Sequence, residues 1–313
     1  MIEISQLSKD FGSFKAVKNL NLNLVEGEIL GFLGPNGAGK STTMKMLTGF
    51  LTPSHGSVKI FGNDLEADRV DAQKLIGYLP EGAPAYDEMT AYEYLGFIAE
   101  IRGFYGKEKQ DRVLDVIEKM SLADVQHQKI ETLSKGYKRR VGLAQAILHD
   151  PRVLILDEPT DGLDPNQKQQ VRKLIRGLSK DKIVIISTHI LEEVSAVCSR
   201  VIILSEGQKV VDCTPQELER KSTHYGKVRI EFSSDVDIEA QIITLESLDG
   251  VEKVLRCEED DSSLLLCAKE GEALYPLLFS YFQDKTKPSP NAMYLEKGRL
   301  DEVFRELTLG DAA

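Results

Sequence analysis

The sequence predicts an α/β core that carries an antiparallel β subdomain and a helical insertion, followed by a small α+β C-terminal domain. Three observations carry that prediction. The segments Ile29–Leu33, Ile76–Leu79, Val153–Leu156 and Ile183–Ser187 are apolar almost throughout, as strands are when a sheet is covered on both faces. Ile2–Leu7 and Val17–Leu24 instead alternate apolar with polar residues, the period of a strand with one wet face. From Pro84 to Asp150 the β pattern stops and helical periodicity takes over, with Tyr92, Leu95, Ile98, Ala99 and Arg102 on one stripe and Val113, Val116, Ile117 and Met120 on another.

In chain order, the alternating pair predicts an antiparallel edge sheet, and the apolar strands build the core around a helical insertion at about residues 85–150. Val201–Leu204 and Lys209–Val211, joined by Ser205-Glu206-Gly207-Gln208, read as a hairpin. Thr214-Pro215-Gln216-Glu217 opens a helix with a capping box and Pro at its first position. The polar stretch Arg220–Gly226 is the expected linker, which divides the chain into domains at 1–220 and 221–313. The remainder reads as strand (Val228–Phe232), helix (Ile238–Leu248), two strands (Val251–Cys257, Ser263–Ala268), helix (Glu272–Phe282), strand (Asn291–Glu296) and helix (Leu300–Leu307). That order suits a split-βαβ domain.

Composition narrows the function. The chain is 42% hydrophobic and 28% charged, with net charge −11. The excess sits late: Tyr225–Ala313 holds 10 Lys+Arg against 19 Asp+Glu. No basic surplus suits a nucleic-acid backbone, and no nucleic-acid partner is expected; Lys138-Arg139-Arg140 reads as a solvated helix face. No run approaches the roughly 18–20 apolar residues of a membrane span. Cys198, Cys213, Cys257 and Cys267 form no C-x-x-C pair and read as buried reduced thiols. A cytoplasmic protein is expected.

Gly34-Pro35-Asn36-Gly37-Ala38-Gly39-Lys40-Ser41 fits G-x-x-x-x-G-K-[ST] between an apolar strand and the helical Thr42–Gly49, the context such a phosphate loop requires. Backbone N–H groups of Gly34, Asn36, Gly37, Ala38 and Gly39 can turn towards phosphates, with Thr42 in the helix start behind them. Lys40 is expected to reach the β- and γ-phosphates of ATP and the Ser41 hydroxyl to bind magnesium. With this loop the core reads as a P-loop ATPase. Val153-Leu154-Ile155-Leu156-Asp157-Glu158 ends in two acids that point to opposite sides of a strand. Asp157 is expected to hold magnesium and Glu158 to polarise the attacking water. His189 follows the strand Ile183–Ser187 and can reach a γ-phosphate from the carboxyl end of the sheet. The other histidines, His55, His127, His149 and His224, read as surface or packing residues.

At Leu133-Ser134-Lys135-Gly136-Tyr137 the sequence resembles the ATP-binding subunits of ABC transporters, whose signature is L-S-G-G-Q. The resemblance covers about residues 1–220 and rests on an ordered set of motifs. Phe11 looks like the aromatic that stacks on adenine, with Val17 as a second candidate for the base. Glu81, in Gly77-Tyr78-Leu79-Pro80-Glu81, stands where the family usually has the Q-loop Gln and still offers an oxygen to magnesium or water. Asp157-Glu158-Pro159-Thr160 matches the second nucleotide motif, Gly162-Leu163-Asp164-Pro165 the D-loop, and Ser187-Thr188-His189 the switch histidine. Lys135 and Tyr137 depart from the usual Gly and Gln. The resemblance implies that Ser134 and Gly136 of one chain close on ATP held by Lys40 of another, so a homodimer, or a pair with a paralogous subunit, is expected. Asp301–Thr308 looks like the closing helix of exporter-type subunits that pair with a separate membrane permease. It implies export of an unknown substrate, with the chain peripheral at the inner face of the cell membrane. A soluble ATPase of the family acting on ribosomes or DNA, and an importer subunit, are the alternatives.

Overall fold

A computed structural model describes residues 1–82, 86–257, 260–269, 272–284 and 286–309; the expected start of the insertion at Pro84 and residue 85 lies outside them. The chain divides into two compact units, Met1–Pro215 with Leu307–Ala313, and Gln216–Glu306.

In the first unit, β1 (Ile2–Phe11) and β2 (Phe14–Leu24) form a hairpin, and β3 (Ile29–Leu33) leads into α1 (Lys40–Leu47). β4 (His55–Ile60), β5 (Asn63–Asp64), α2 (Arg69–Lys74) and β6 (Ile76–Leu79) follow. The helical region contains α3 (Ala91–Ile101), α4 (Gly106–Lys119) and α5 (Lys135–Ile147). Then come β7 (Val153–Asp157), α6 (Pro165–Leu178), β8 (Ile183–Ser187), α7 (Leu191–Val197), β9 (Arg200–Ser205) and β10 (Gln208–Cys213).

Two sheets result. The antiparallel one runs β2-β1-β4-β5; the larger runs β10-β9-β3-β8-β7-β6, parallel from β9 to β6 with β10 antiparallel at the edge. Alternate residues of its inner strands enter different cores. Leu154, Leu156, Val184 and Ile186 pack with α3, α4, α5 and α6, whereas Val153, Ile155, Ile183 and Ile185 pack with α1 and the antiparallel sheet. Burial on both faces is why these strands read as continuous apolar runs.

The second unit begins within α8 (Pro215–Glu219), continues as β11 (Val228–Glu231), α9 (Ile238–Glu246), β12 (Val251–Cys257), β13 (Asp260–Ala268), α10 (Leu274–Phe282) and β14 (Ala292–Leu295), and ends within α11 (Leu300–Leu309), whose residues from Leu307 on count with the first unit. Its antiparallel sheet is β12-β13-β11-β14, one face packed by α9 and α10. Arg220–Gly226 is not a linker between the units. The division falls before it, and Ser222 is buried, donating to Glu302 Oε2 at 2.8 Å. The Ser222 and Thr223 hydroxyls both donate to the Glu302 carboxylate, a use that composition alone does not distinguish from a solvated tether. All four cysteines are thiols, Cys257 buried and the other three half-buried.

Candidate functional site

The site begins where β3 ends. Its five residues are all buried, which anchors the loop that follows. Gly34 and Gly39 are there for lack of room: a Cβ on Gly34 would stand 2.5 Å from the Leu204 carbonyl oxygen, and one on Gly39, at φ +102°, 2.5 Å from that of Ala16. The loop is thus held between β9 and β2. Asn36 and Gly37 are exposed at its tip and Ala38 is buried. Gly39 caps α1 with no side chain, and no acid occupies the first turn, so its N–H groups and positive dipole end stay available to an anion. Ser41 and Thr42 are half-buried in that turn.

Lys40 is 8% exposed. Its Nζ donates to the Gly34 carbonyl at 2.7 Å and the Pro35 carbonyl at 3.1 Å. Burial lowers the pKa of this ammonium, while the carboxylates of Glu158, Asp157 and Glu81 act to raise it. The charges of all three acids therefore reach the lysine. Asp157, the last residue of β7, is 2% exposed and lies opposite Ser187 of β8. Glu158 turns the chain in the left-handed region at φ +49°, a strained backbone for a non-glycine residue. Its N–H donates to the Ser187 carbonyl at 2.9 Å, and its Oε1 lies 2.9 Å from His189 Nδ1. Glu158 is mostly enclosed, whereas His189 is open to solvent.

Glu193 of α7, 4% exposed, braces the strand ends behind this pair. It accepts from the hydroxyls of Thr160 and Thr188, both buried, and burial raises its pKa.

A second group of expected residues gathers around α5 and α6. Ser134 is the N-cap of α5; its Oγ accepts from the Tyr137 N–H at 3.4 Å. Gly136 faces Leu163 and Gln167, and Gln167 completes the capping box of α6 with Asp164. Lys135 lies across Gly162 and pairs with Asp161 at 2.8 Å. Gly136 and Asp164 are thus linked through Gln167, and Ser134 begins the helix that carries Gly136. Phe11 ends β1, half exposed, with Lys9 Nζ 5.3 Å from its ring centroid. Val17 contacts the Gly39 position, so the β1–β2 hairpin borders the phosphate loop.

One expectation fails here. Arg139 and Arg140 are 5% and 9% exposed, not a solvated face. α5 packs on β6, and Arg139 turns inward to donate to the carbonyls of Pro80, Asp157 and Glu158, while Arg140 reaches Gln170 and the Met120 carbonyl. Arg139 and Glu193 are site residues that the sequence did not mark. Arg139 sits five residues beyond Ser134 on the same helix, but nothing local separates an inward arginine from an outward one.

The donor set suits a magnesium ion shared with a nucleotide. Among the described residues no three His, Cys, Asp or Glu are grouped to cage a metal. A hydroxyl at a helix start, one buried strand-end carboxylate and the nearby Glu81 match an ion that keeps waters and phosphate oxygens as ligands.

Known proteins carry the same features. The ABC transporter family profile matches residues 17–161. The chain is 34% identical over 280 residues to YhcH, an uncharacterized ABC transporter ATP-binding protein of Bacillus subtilis strain 168, covering 88% of this chain and 90% of that one. It is 37% identical over 230 residues to the bacitracin transport ATP-binding protein BcrA of Bacillus licheniformis, covering 72% and 73%. Among solved structures, the ATP binding subunit of an ABC transporter superposes with a TM-score of 0.66 at 28% identity, over 71% of this chain and 92% of that one. A dimeric post-hydrolysis ATP-binding cassette bound to ADP and Pi gives 0.64 at 26% identity, over 69% and 99%. Fold, phosphate loop and full-length likeness agree: the chain belongs to the ABC transporter family, as an ATP-binding protein that hydrolyses ATP.

Proposed function

We propose that this ATPase powers export through a separate membrane permease, working as two copies that share their ATP sites. The observation that carries the membrane partner is an open groove with exposed apolar side chains in the first unit. It measures about 540 Å³ and is lined by Phe50, Val70, Ile98 and Ile101, together with polar residues that include Lys74 and Arg102. Phe50, Val70 and Ile101 are 79%, 67% and 63% exposed. Clustered apolar side chains left in water mark a surface that another protein covers. No described helix is long and apolar enough to cross a membrane, so the transport path is assigned to a partner. Export is favoured by the likeness to proteins named for bacitracin transport and linearmycin resistance.

Within the site, Lys40 exchanges the Gly34 and Pro35 carbonyls for phosphate oxygens, and the N–H groups from Gly34 to Thr42 hold the remaining charge. Phe11 stacks on the base. Ser41, Asp157 and Glu81 would hold magnesium, which when bound would offset charge on the transferring phosphoryl group. Glu158 orients the attacking water and takes its proton, steered by the hydrogen bond from His189. Ser134 and Gly136 of a second copy, with Asp164 beside them, close the site from the far side. The likeness to a dimeric cassette supports that arrangement.

The test is recovery of tagged Glu158→Gln chain from detergent-solubilised membranes with ATP and magnesium. A stoichiometric polytopic membrane protein, lost when Ile101→Glu is added, is the expected outcome. Recovery of the chain alone, or with ribosomes or nucleic acid, would sink the permease reading while leaving the ATPase in place. Turnover by Glu158→Gln should fall by about 10²–10⁴-fold.

A further inference from the structure

We propose that Arg139 is a positioning residue for ATP hydrolysis: from the helix that begins at Ser134, it holds the backbone under Glu158 and Glu81 in one fixed arrangement. This rests on the proposed roles of those two acids. The guanidinium is 5% exposed. Nη1 donates to the Pro80 carbonyl at 2.9 Å, immediately before Glu81, and Nη2 donates to the carbonyls of both Asp157 and Glu158.

Successive carbonyls of an extended strand point in opposite directions. Two consecutive ones converge on a single nitrogen only where the chain turns, and the left-handed φ of +49° at Glu158 makes that turn. Arg139 thus anchors the strained step that aims the Glu158 side chain. Three separate elements meet in this one group: α5, the end of β7 and the loop after β6. Burial lowers the pKa of the Arg139 guanidinium, while the charges of Asp157, Asp161, Glu158 and Glu81 act to raise it. Nε of Arg139 is buried without a hydrogen-bond partner, so the side chain is held for its fork and its charge rather than for complete satisfaction. A lysine supplies one compact ammonium in place of a planar fork. It keeps the charge and cannot span all three carbonyls.

The experiment compares full-length wild type, Arg139→Lys and Arg139→Met in steady-state ATP hydrolysis with magnesium. The kcat of each is expressed per nucleotide site, counted by titration with ADP. Misplacement of a reacting group by about 1 Å costs about 100-fold; we therefore expect kcat to fall about 10-fold in Arg139→Lys and about 100-fold in Arg139→Met, with KM for ATP within about threefold. If Arg139→Met does not fold, Arg139→Lys decides. A lysine variant that keeps kcat within about twofold of wild type overturns the proposal. So does a loss that vanishes once activity is counted per ADP site, because that reports fewer folded molecules and not misaligned ones. Failure of the underlying roles has a different signature: Glu158→Gln would then turn over ATP like wild type.

Discussion

Removing Glu193 should destabilise the first unit in a way that depends on what replaces it. The carboxylate is 4% exposed and accepts from Thr160 and Thr188, which are 2% and 0% exposed. Glu193→Ala leaves both hydroxyl protons without that acceptor, at about 1–3 kcal/mol for each buried group left unsatisfied. Thr188 is the less affected, since its oxygen still accepts from the Ile190 N–H at 3.1 Å. Relief from burying a charge works in the other direction. The net expectation is a loss of about 2 kcal/mol. Glu193→Gln keeps one acceptor, and a rotated threonine hydroxyl can accept from its amide, so the loss should be about 1 kcal/mol.

The pH dependence has a definite sign. Burial raises the folded-state pKa of Glu193 above its ordinary 4.5, so the native state holds the proton more tightly than the unfolded chain. Stability from this group is fully present below the unfolded pKa and declines as pH rises through the folded one. The gap between wild type and Glu193→Gln should therefore be wider near pH 5 than near pH 8. The assay is urea unfolding at both pH values, fitted for free energy and m. If Glu193→Ala unfolds within about 0.5 kcal/mol of wild type, the two threonine bonds do not brace these strand ends.

Two further outcomes follow from side chains near the core. His149 donates through Nε2 to the Ile76 carbonyl at 3.0 Å, and burial, with Arg102 beside it, pushes its pKa down to about 4. Because the unfolded chain binds this proton more readily, wild type should lose stability as pH falls from 6.5 towards 4. At about 1.4 kcal/mol per pH unit the upper bound is about 3 kcal/mol. Thermal unfolding of wild type and His149→Gln across that window should show the difference between them shrinking towards low pH, and a constant difference refutes it. Lys135→Ala breaks the 2.8 Å pair with Asp161, but the partners are 70% and 55% exposed. Its stability change should stay within about 1 kcal/mol by urea unfolding, and a loss of about twice that would mean the pair is not an ordinary surface contact.

Much of the fold was legible because its signals are local. Apolar strands such as Val153–Leu156 and Ile183–Ser187 announce two covered faces, and the chain does bury them in two cores. The glycines around Lys40 were readable as a phosphate loop, although their reason is non-local: Gly34 and Gly39 leave room for the backbone of Leu204 and Ala16. Where one helix face has to be chosen over another, the sequence misled. Lys138, Arg139 and Arg140 read as solvated, and two of them are buried: Arg139 turns in to Pro80, Asp157 and Glu158, and Arg140 reaches Gln170 and the Met120 carbonyl. The polar run Arg220–Gly226 read as a tether, and its Ser222 instead satisfies Glu302.

By itself the sequence determined which chemical groups are present, their order, and the strand-loop-helix setting of Lys40, because backbone periodicity and loop chemistry act over a few residues. Only the tertiary structure decided which of those groups meet. It set Glu158 against His189, brought the charges of Asp157, Glu158 and Glu81 to bear on Lys40, and joined Arg139 to the carbonyls of Pro80, Asp157 and Glu158. These partners are separated by tens of residues along the chain. Their encounter depends on the register of β7 beside β8 and the packing of α5, and no local pattern encodes a distance across a sheet.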